Sequence, residues 1–173
     1  MTNDELRELN KHRQIQQIAF LSRDLEKSMQ AWIDVLRIGP WRVFRFTEKT
    51  VKNLRVGGRP VEGPFEFRIA ITHVGAMEIE IIQPVHGPMI YEDYLQRRGE
   101  GLHHIKEKLP EDRMAAVVAD YEARGIPVTQ TGQFFADFHF YLDTEGRTDF
   151  IYELGNCPWQ DLPPELVSVY PPE

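Results

Sequence analysis

Apolar and polar residues follow each other in an order that predicts two similar series of secondary-structure elements. The first series begins with a strand over residues 14–21, where short, β-branched and aromatic residues stand among polar ones. A helix follows, because apolar residues recur at spacings of three and four; they are Leu25, Met29, Trp32, Ile33 and Leu36. Gly39 and Pro40 end this helix. Three strands are predicted after it, over residues 41–46, 65–73 and 77–83.

The second series repeats this order after a helix predicted over residues 88–98. A strand over residues 103–109 leads into a helix that opens at Pro110 and ends at Gly125. Three more strands are then predicted, over residues 128–133, 135–142 and 149–154. Sequence identity between the halves is slight, so the repeat is one of pattern.

Two modules of strand, helix and three strands predict an α+β fold. The expected division is a polar arm (1–13), one domain (14–156, with modules 14–84 and 102–156 joined by the helix 88–98) and a proline-rich tail (157–173). The first module is the longer one, because residues 49–64 are rich in glycine and proline. This segment is predicted to form a long loop that could act as a lid.

Length, composition and charge narrow the class of protein. A chain of 173 residues with 42% hydrophobic and 27% charged residues is typical of one soluble globular domain. No apolar run reaches the length of a membrane span, and residues 1–13 are too polar for a secretory signal. The single cysteine, Cys157, excludes an internal disulfide, so we expect a cytoplasmic protein. The net charge of −7 argues against nucleic acid as a partner, because it would repel phosphates.

Four polar residues stand in strand-like segments where a purely structural strand would place apolar side chains: Gln17, Glu80, His104 and Glu153. Side chains alternate between the faces of a strand, and apolar residues lie two positions from Gln17 and Glu153. These two side chains are therefore expected in an interior, where a carboxylate is costly unless it is paired or binds a cation. Two carboxylates, one imidazole and one amide oxygen would suit zinc, nickel, cobalt or manganese.

Each of these residues also has an ordinary structural interpretation. A single glutamate in a strand is usually solvated on the outer face of a sheet. A single histidine more often has a structural role, and we expect that role for the other histidines; they are His12, His73, His86, His103 and His139. The argument for a metal site is that all four polar residues occur at corresponding places in the two halves.

Three segments of the chain resemble the vicinal oxygen chelate superfamily, and especially its methylmalonyl-CoA epimerases. They are IQQIAFLSRDLEKSM, MEIEIIQP and YLQRRGEGLHHI, of which the third is the most specific. The resemblance covers roughly residues 14–154 and implies two βαβββ modules that form a curved mixed sheet around one pocket. It also implies a divalent metal ion held by Gln17, Glu80, His104 and Glu153.

The ligand set departs from that of the epimerases at two positions. They usually have histidine where this chain has Gln17, and often glutamine where it has Glu80. The set is instead similar to that of one branch of glyoxalase I. An extradiol dioxygenase is disfavoured, because Glu80 occupies the place of the second histidine that its iron site would need.

The resemblance implies a metal-dependent isomerase or epimerase that abstracts a proton beside a substrate carbonyl, such as that of an acyl-CoA thioester. Glu153 is expected to be both metal ligand and base, with a pKa raised by a dry pocket. Lys106 shares a strand face with the histidine ligand, and it and Arg68 are expected to contact the substrate. For a second acid or base, the sequence offers Glu62 and Glu66.

Two other functions stay open at this point. A glyoxalase-type lyase acting on a thiol–aldehyde adduct would need cations for glutathione carboxylates; the candidates are Arg42, Arg45, Arg55 and Arg68. A non-catalytic protein could instead bind a small aromatic or hydrophobic compound through aromatic residues; those singled out are Trp41, Phe44, Phe134, Phe135, Phe138 and Phe140. A homodimer is expected, because dimers are common in the superfamily, and the two modules could pair within one chain or between chains.

Overall fold

A computed structural model describes residues 1–158 and 162–172, and the described strands form a single mixed sheet of eleven strands. In chain order the strands are β1 (Ile15–Leu21), β2 (Trp41–Thr47), β3 (Val51–Val56), β4 (Arg59–Pro60), β5 (Glu66–Val74), β6 (Met77–His86), β7 (Gly101–Lys108), β8 (Val128–Phe134), β9 (Asp137–Leu142), β10 (Ile151–Gly155) and β11 (Val167–Tyr170). The α-helices are α1 (Asn3–Lys11), α2 (Leu25–Ala31), α3 (Ile90–Arg98), α4 (Glu111–Ala123) and α5 (Glu145–Thr148). A π-helical turn, Trp32–Leu36, continues α2, and a 3₁₀ turn, Pro164–Leu166, precedes β11.

The sheet places the two modules side by side within one chain. Its strand order is β11-β2-β5-β6-β1-β7-β10-β9-β8-β3-β4. At the centre, β1 pairs antiparallel with β7, and each has a parallel partner from its own module, β6 for β1 and β10 for β7. This arrangement confirms the predicted α+β fold with a curved mixed sheet, whereas the proposed boundaries of arm, domain and tail stay a prediction.

Two helices cover one face of the sheet, one in each module. Leu25 and Met29 of α2 are buried in a cluster with Trp41 of β2. Met114 and Tyr121 of α4 are buried against strands of the second module. The apolar residues of both helices recur at helical spacing, which is why one side of each helix packs on the sheet. None of the helices in the described part of the chain has the length and apolar composition needed to cross a membrane.

Residues 49–64 contain two strands, so the predicted loop is wrong over half of its length. β3 pairs with β8 of the second module, and β4 returns beside β3 through a turn at Gly57 and Gly58. Both glycines have positive φ, a conformation that side chains disfavour. Val51 and Leu54 bury their side chains in the core. The surrounding glycines and prolines obscured this short strand in the sequence.

The sheet curves until its two ends approach each other across a cavity. β2 and β3 are consecutive in the chain, yet they lie near opposite ends of the strand order. Three residues, 48–50, are enough to connect them. The rings of Phe46 on β2 and Phe134 on β8 lie 4.3 Å apart between centroids, which closes the cavity on that side. The predicted tail supplies β11, which pairs with β2, while its residues 159–161 lie outside the described residues.

Candidate functional site

A cavity of about 320 Å³ lies inside the curve of the sheet, on the face opposite α2 and α4. One wall is polar and includes Gln17, Glu80, Lys106 and Glu153. The facing wall is aromatic and includes Phe44, Phe46, Phe67 and Phe134. A few polar groups opposite a largely apolar surface are typical of a site for a small molecule.

The four predicted ligand residues come together at the polar wall, although each lies on a different strand. His104 Nε2 lies 2.7 Å from Glu153 Oε2 and 3.8 Å from Glu80 Oε1. Gln17 Oε1 lies 3.0 Å from the same nitrogen, and Gln17 Nε2 donates to Glu80 Oε2 over 3.0 Å. All four residues are at most 5% exposed. The fold therefore brings the whole predicted set to one place, while its role as a metal site stays a prediction.

Strand register explains why these side chains meet. β6, β1, β7 and β10 are neighbours in the sheet, so residues paired across them form rows on one face. One row contains Glu80, Ala19, His104 and Ile151, and the next contains Glu78, Gln17, Lys106 and Glu153. Because alternate residues of a strand share a face, both rows point to the cavity side.

The chemistry of this donor set fits a divalent metal ion. Glu153 Oε2 is buried and has no hydrogen-bond partner among residues 1–158 and 162–172, despite its short distance to His104 Nε2. Such an anionic oxygen is costly unless a cation satisfies it. The same described residues contain no ready cluster of three or more His, Cys, Asp or Glu side chains for a metal ion. The Gln17 amide instead links the set by hydrogen bonds, which a bound metal would have to replace.

The two carboxylates of the set differ in their acidity. Burial, together with the negative charges of Glu153 and Glu78, raises the pKa of Glu80 well above its usual value. Burial alone would also raise the pKa of Glu153, but the positive charge of Lys106 and the contact with His104 outweigh it and lower that pKa to about 2. The expectation of a raised pKa at Glu153 was therefore wrong. The raised pKa belongs to Glu80.

Lys106 lies on the cavity face, as its position two residues after His104 indicated. Its ammonium nitrogen is 3.0 Å from Glu153 Oε1 and 3.5 Å from Asp137 Oδ1. Burial opposes the charge of this lysine, but Asp137 and Glu153 outweigh burial and raise the pKa of Lys106 well above its usual value. Gly155 leaves room for the side chain, since a Cβ there would collide with the lysine Cε. Lys106 is thus a permanent buried cation beside the candidate ligands.

Arg68 lies on the other face of the sheet, away from the cavity, and its role as a substrate contact stays a prediction. Its guanidinium forms an ion pair with the carboxylate of Glu26 on α2, in which Arg68 Nη1 lies 3.1 Å from Glu26 Oε2. It also donates a hydrogen bond to Gln83 Oε1. Neither of the glutamates considered as a second acid or base lines the cavity. Glu62 is exposed, and Glu66 forms an ion pair with Arg45 at 2.6 Å.

The structure adds site residues that the sequence did not single out. Two histidines expected to be structural lie at or behind the polar wall, namely His103 and His139. Burial lowers the pKa of His139 to about 4, so this imidazole is neutral at neutral pH. Tyr91 and Tyr141 also line the cavity, with their hydroxyls 3.1 Å apart. The alternation of polar and apolar residues in β9 was the signal that could have identified His139 and Tyr141.

Most of the chain matches a known protein family. The family model described as "Glyoxalase/Bleomycin resistance protein/Dioxygenase superfamily" matches residues 16–141, which is more than half of the chain. No curated protein matches the chain in sequence.

Several solved structures are similar to this fold at low sequence identity. A hypothetical protein from Bacillus halodurans is 14% identical, with a TM-score of 0.63 over 88% of this chain and 99% of that one. A methylmalonyl-CoA epimerase in complex with methylmalonyl-CoA and NH4+ is 16% identical, with a TM-score of 0.56 over 83% and 93%. A Streptomyces coelicolor methylmalonyl-CoA epimerase in complex with 2-nitronate-propionyl-CoA is 16% identical, with a TM-score of 0.58 over 87% and 98%. At these identities the likeness establishes the fold alone.

Proposed function

Since the chain belongs to the glyoxalase/bleomycin resistance protein/dioxygenase superfamily, we propose that it is a metal-dependent isomerase or epimerase that moves a proton beside a substrate carbonyl. The observation that carries this proposal is the convergence of Gln17, Glu80, His104 and Glu153 on one wall of the cavity. Oxygen donors with one imidazole suit divalent zinc, nickel, cobalt or manganese.

The proposed ligands are Gln17 Oε1, His104 Nε2 and the carboxylates of Glu80 and Glu153. When bound, such a metal supplies a Lewis acid that polarises the carbonyl and stabilises the negative charge that develops on its oxygen. The aromatic wall lowers the polarity around the set, and electrostatic interactions are stronger in a less polar environment. Lys106 offers a second positive charge on the same wall, 3.0 Å from Glu153 Oε1.

Glu153 is the proposed base. Its Oε2 is the carboxylate oxygen without a hydrogen-bond partner in the described part of the chain, so it can accept the substrate proton. Lys106, bound to Oε1, keeps this carboxylate ionised at neutral pH. The same contact makes Glu153 a weaker base, because a lower pKa reduces the driving force for proton transfer.

The proposed substrate is a carbonyl compound such as the acyl end of an acyl-CoA thioester. Two of the similar structures are complexes with methylmalonyl-CoA and 2-nitronate-propionyl-CoA. A cavity of about 320 Å³ has room for an acyl group and leaves the nucleotide of a thioester outside.

Of the two other functions, one is favoured by a specific observation. The aromatic wall and the hydrogen bonds within the polar set also suit a protein that binds a small hydrophobic or aromatic compound without a metal. The glyoxalase-type lyase has less support. Of its four candidate arginines only Arg42 lines the cavity, while Arg45 and Arg68 are bound to glutamates.

The proposal is tested by deuterium exchange. The protein is loaded with zinc, nickel, cobalt or manganese and incubated in D2O with methylmalonyl-CoA, and mass spectrometry measures deuterium in the acyl group. We expect exchange by the parent and a loss of roughly 10²–10⁴-fold in rate for Glu153→Gln. The matched control is Glu62→Gln, an exposed glutamate that should exchange like the parent. Tight binding of acyl-CoA without exchange, with all four metals, would favour the binding protein instead.

A further inference from the structure

The strand that carries His104 contains an irregularity at the neighbouring residue. Along the pairing of β1 with β7, Ala19 faces His104, and the next residue, Phe20, faces Leu102. β7 therefore has one extra residue at this point, His103, which makes a β-bulge. Consecutive side chains normally point to opposite faces of a strand, but the bulge turns both imidazoles inward. Each is completely buried.

The two imidazoles contact each other through one pair of nitrogens. His103 Nδ1 lies 2.9 Å from His104 Nδ1. The ring of His103 packs edge-on against Tyr94, at 4.8 Å between centroids, and against Tyr141, at 5.6 Å. Its other nitrogen, Nε2, is buried and has no hydrogen-bond partner in the described parts of the chain. Within the described residues, the contact with His104 is thus the one hydrogen bond of this imidazole, and it holds a single proton.

The amide of Gln17 determines where the protons of this pair lie. Gln17 Nε2 donates to the carboxylates of Glu78 and Glu80, so Oε1 is the amide atom that faces His104 Nε2. An amide oxygen only accepts, so His104 Nε2 carries a proton in the metal-free protein. His104 Nδ1 of a neutral imidazole is then bare, and His103 Nδ1 is the donor. Full burial of both rings favours neutral imidazoles in this pair. A second cation is also not needed to balance the charge of Glu153, because Lys106 already does so.

We propose that His103 is a positioning residue that sets the tautomer of His104, and that the pair reverses its tautomers when a metal binds. This inference rests on the proposed function, because it requires that His104 Nε2 becomes a ligand. A metal needs the lone pair of Nε2, so the ring proton of His104 must then lie on Nδ1. His103 Nδ1 then accepts a hydrogen bond from the Nδ1–H group of His104. The ring proton of His103 lies on its Nε2. The pair holds two protons before and after, so no net proton leaves it.

The inference explains why a histidine occupies a buried position among tyrosines. An apolar residue would fill the same space without the cost of an unpaired nitrogen. Histidine can serve both states, because one nitrogen can donate in the metal-free protein and accept in the metal-bound one.

NMR of the full chain with ¹⁵N-labelled histidine tests the pair directly, with Zn²⁺ as the probe because it is diamagnetic. Without metal we expect the proton of His104 on Nε2 and that of His103 on Nδ1. After addition of Zn²⁺ we expect the proton of His104 on Nδ1 and that of His103 on Nε2. A metal-free His104 protonated on Nδ1, whether alone or together with Nε2, would overturn the inference.

Zinc affinity of variants supplies the second test. His103→Phe keeps an aromatic ring but cannot accept a hydrogen bond from His104 Nδ1. We therefore expect Zn²⁺ to bind about 10–100-fold more weakly. His103→Asn keeps a polar atom near the position of Nδ1 and should restore most of the affinity. The matched control is Tyr94→Phe, which perturbs the same cluster and should leave the affinity unchanged. Equal affinity of His103→Phe and the parent would overturn the inference.

A failure of the metal-dependent function and a failure of the tautomer assignment are distinguishable. A parent protein that binds no Zn²⁺ would overturn the metal-dependent function. The tautomers of the metal-free pair would still show whether His103 donates to His104. If His103→Phe does not fold, the NMR measurement on the parent and the His103→Asn variant decide the matter.

Discussion

One lysine determines the acidity of the candidate base. A glutamate in a dry pocket was expected to have a raised pKa, and Glu80 does. Glu153 lies in an equally buried place, but the Lys106 ammonium is 3.0 Å from its Oε1. At low effective dielectric, an opposite charge at this distance outweighs the cost of burial, so the pKa of Glu153 falls. Burial by itself is therefore a poor guide to acidity when a charged partner is near.

Residue-scale electrostatics also predicts a dependence of stability on pH. His139 is buried and neutral in the folded protein with a pKa of about 4, compared with 6.5 for an unperturbed histidine. Between these values the unfolded chain binds more protons than the folded one, so stability falls as the pH decreases from 6.5 to 4. For His139 alone we expect a loss of about 2 kcal/mol in the free energy of unfolding between pH 7 and pH 5.

Urea unfolding of the parent and of His139→Gln at pH 7 and pH 5 checks this prediction. The variant lacks the titrating group, so its stability should fall less on acidification than that of the parent. The matched control is His86→Gln, which replaces an exposed histidine and should behave like the parent. An equal fall in stability for parent and His139→Gln would contradict the assignment.

At the scale of elements, β8 depends on a glycine for its packing. Gly132 faces His139 on β9, and β3 packs on the same strand. A Cβ at Gly132 would lie 2.9 Å from His139 Cε1 and 3.3 Å from both Leu54 Cδ1 and Val51 Cγ1. Three contacts at once leave little room for adjustment, so the added methyl group strains the core.

We expect Gly132→Ala to lower the free energy of unfolding by about 1–3 kcal/mol. Chemical denaturation measures this change. Gly146→Ala is the matched control, because it adds the same methyl group in α5, where no atom lies within 4 Å of the new Cβ and φ is not positive. That control should be neutral or slightly stabilising, since alanine is favoured over glycine in a helix. A Gly132→Ala protein as stable as its parent would argue against the close approach of β3 and β9 to β8.

At the scale of the whole molecule, the two modules complete one site within one chain. Gln17 and Glu80 come from the first module and His104 and Glu153 from the second, and β1 and β7 join the modules at the centre of the sheet. The alternative in which modules pair between chains is not needed to assemble the four side chains. The homodimer expected from the resemblance stays a prediction.

We therefore expect one divalent metal ion per chain, whatever the oligomeric state. Elemental analysis of tag-free protein gives the metal content, and light scattering gives the mass, which is 20.2 kDa for one chain. Dilution that dissociates a dimer should leave the metal content per chain unchanged. Loss of metal on dissociation would mean that a second chain contributes to the site, contrary to a site built from the four side chains of one chain. His104→Ala together with Glu153→Ala should abolish binding.

Much of the fold and of the polar set follows from local patterns in the sequence. Alternation in the segments around Gln17 and Glu153 identified strands whose polar side chain faces an interior, because side-chain direction in a strand has a period of two. The helical spacing from Leu25 identified the helix that packs on the outer face. The repeated order of elements then determined that the four polar residues occupy corresponding strands of two modules.

Other features depend on residues that are distant in sequence, and only the tertiary structure decided them. β3 joins the far end of the sheet because strong curvature brings β2 and β8 together, which no local pattern encodes. The inward turn of His103 arises from a bulge, and a bulge is defined by the register of two paired strands. The low pKa of Glu153 requires Lys106 at hydrogen-bonding distance, and Coulomb energies depend on that separation in space. The sequence by itself determined which residues could form a site, and the packed sheet determined their partners and charges.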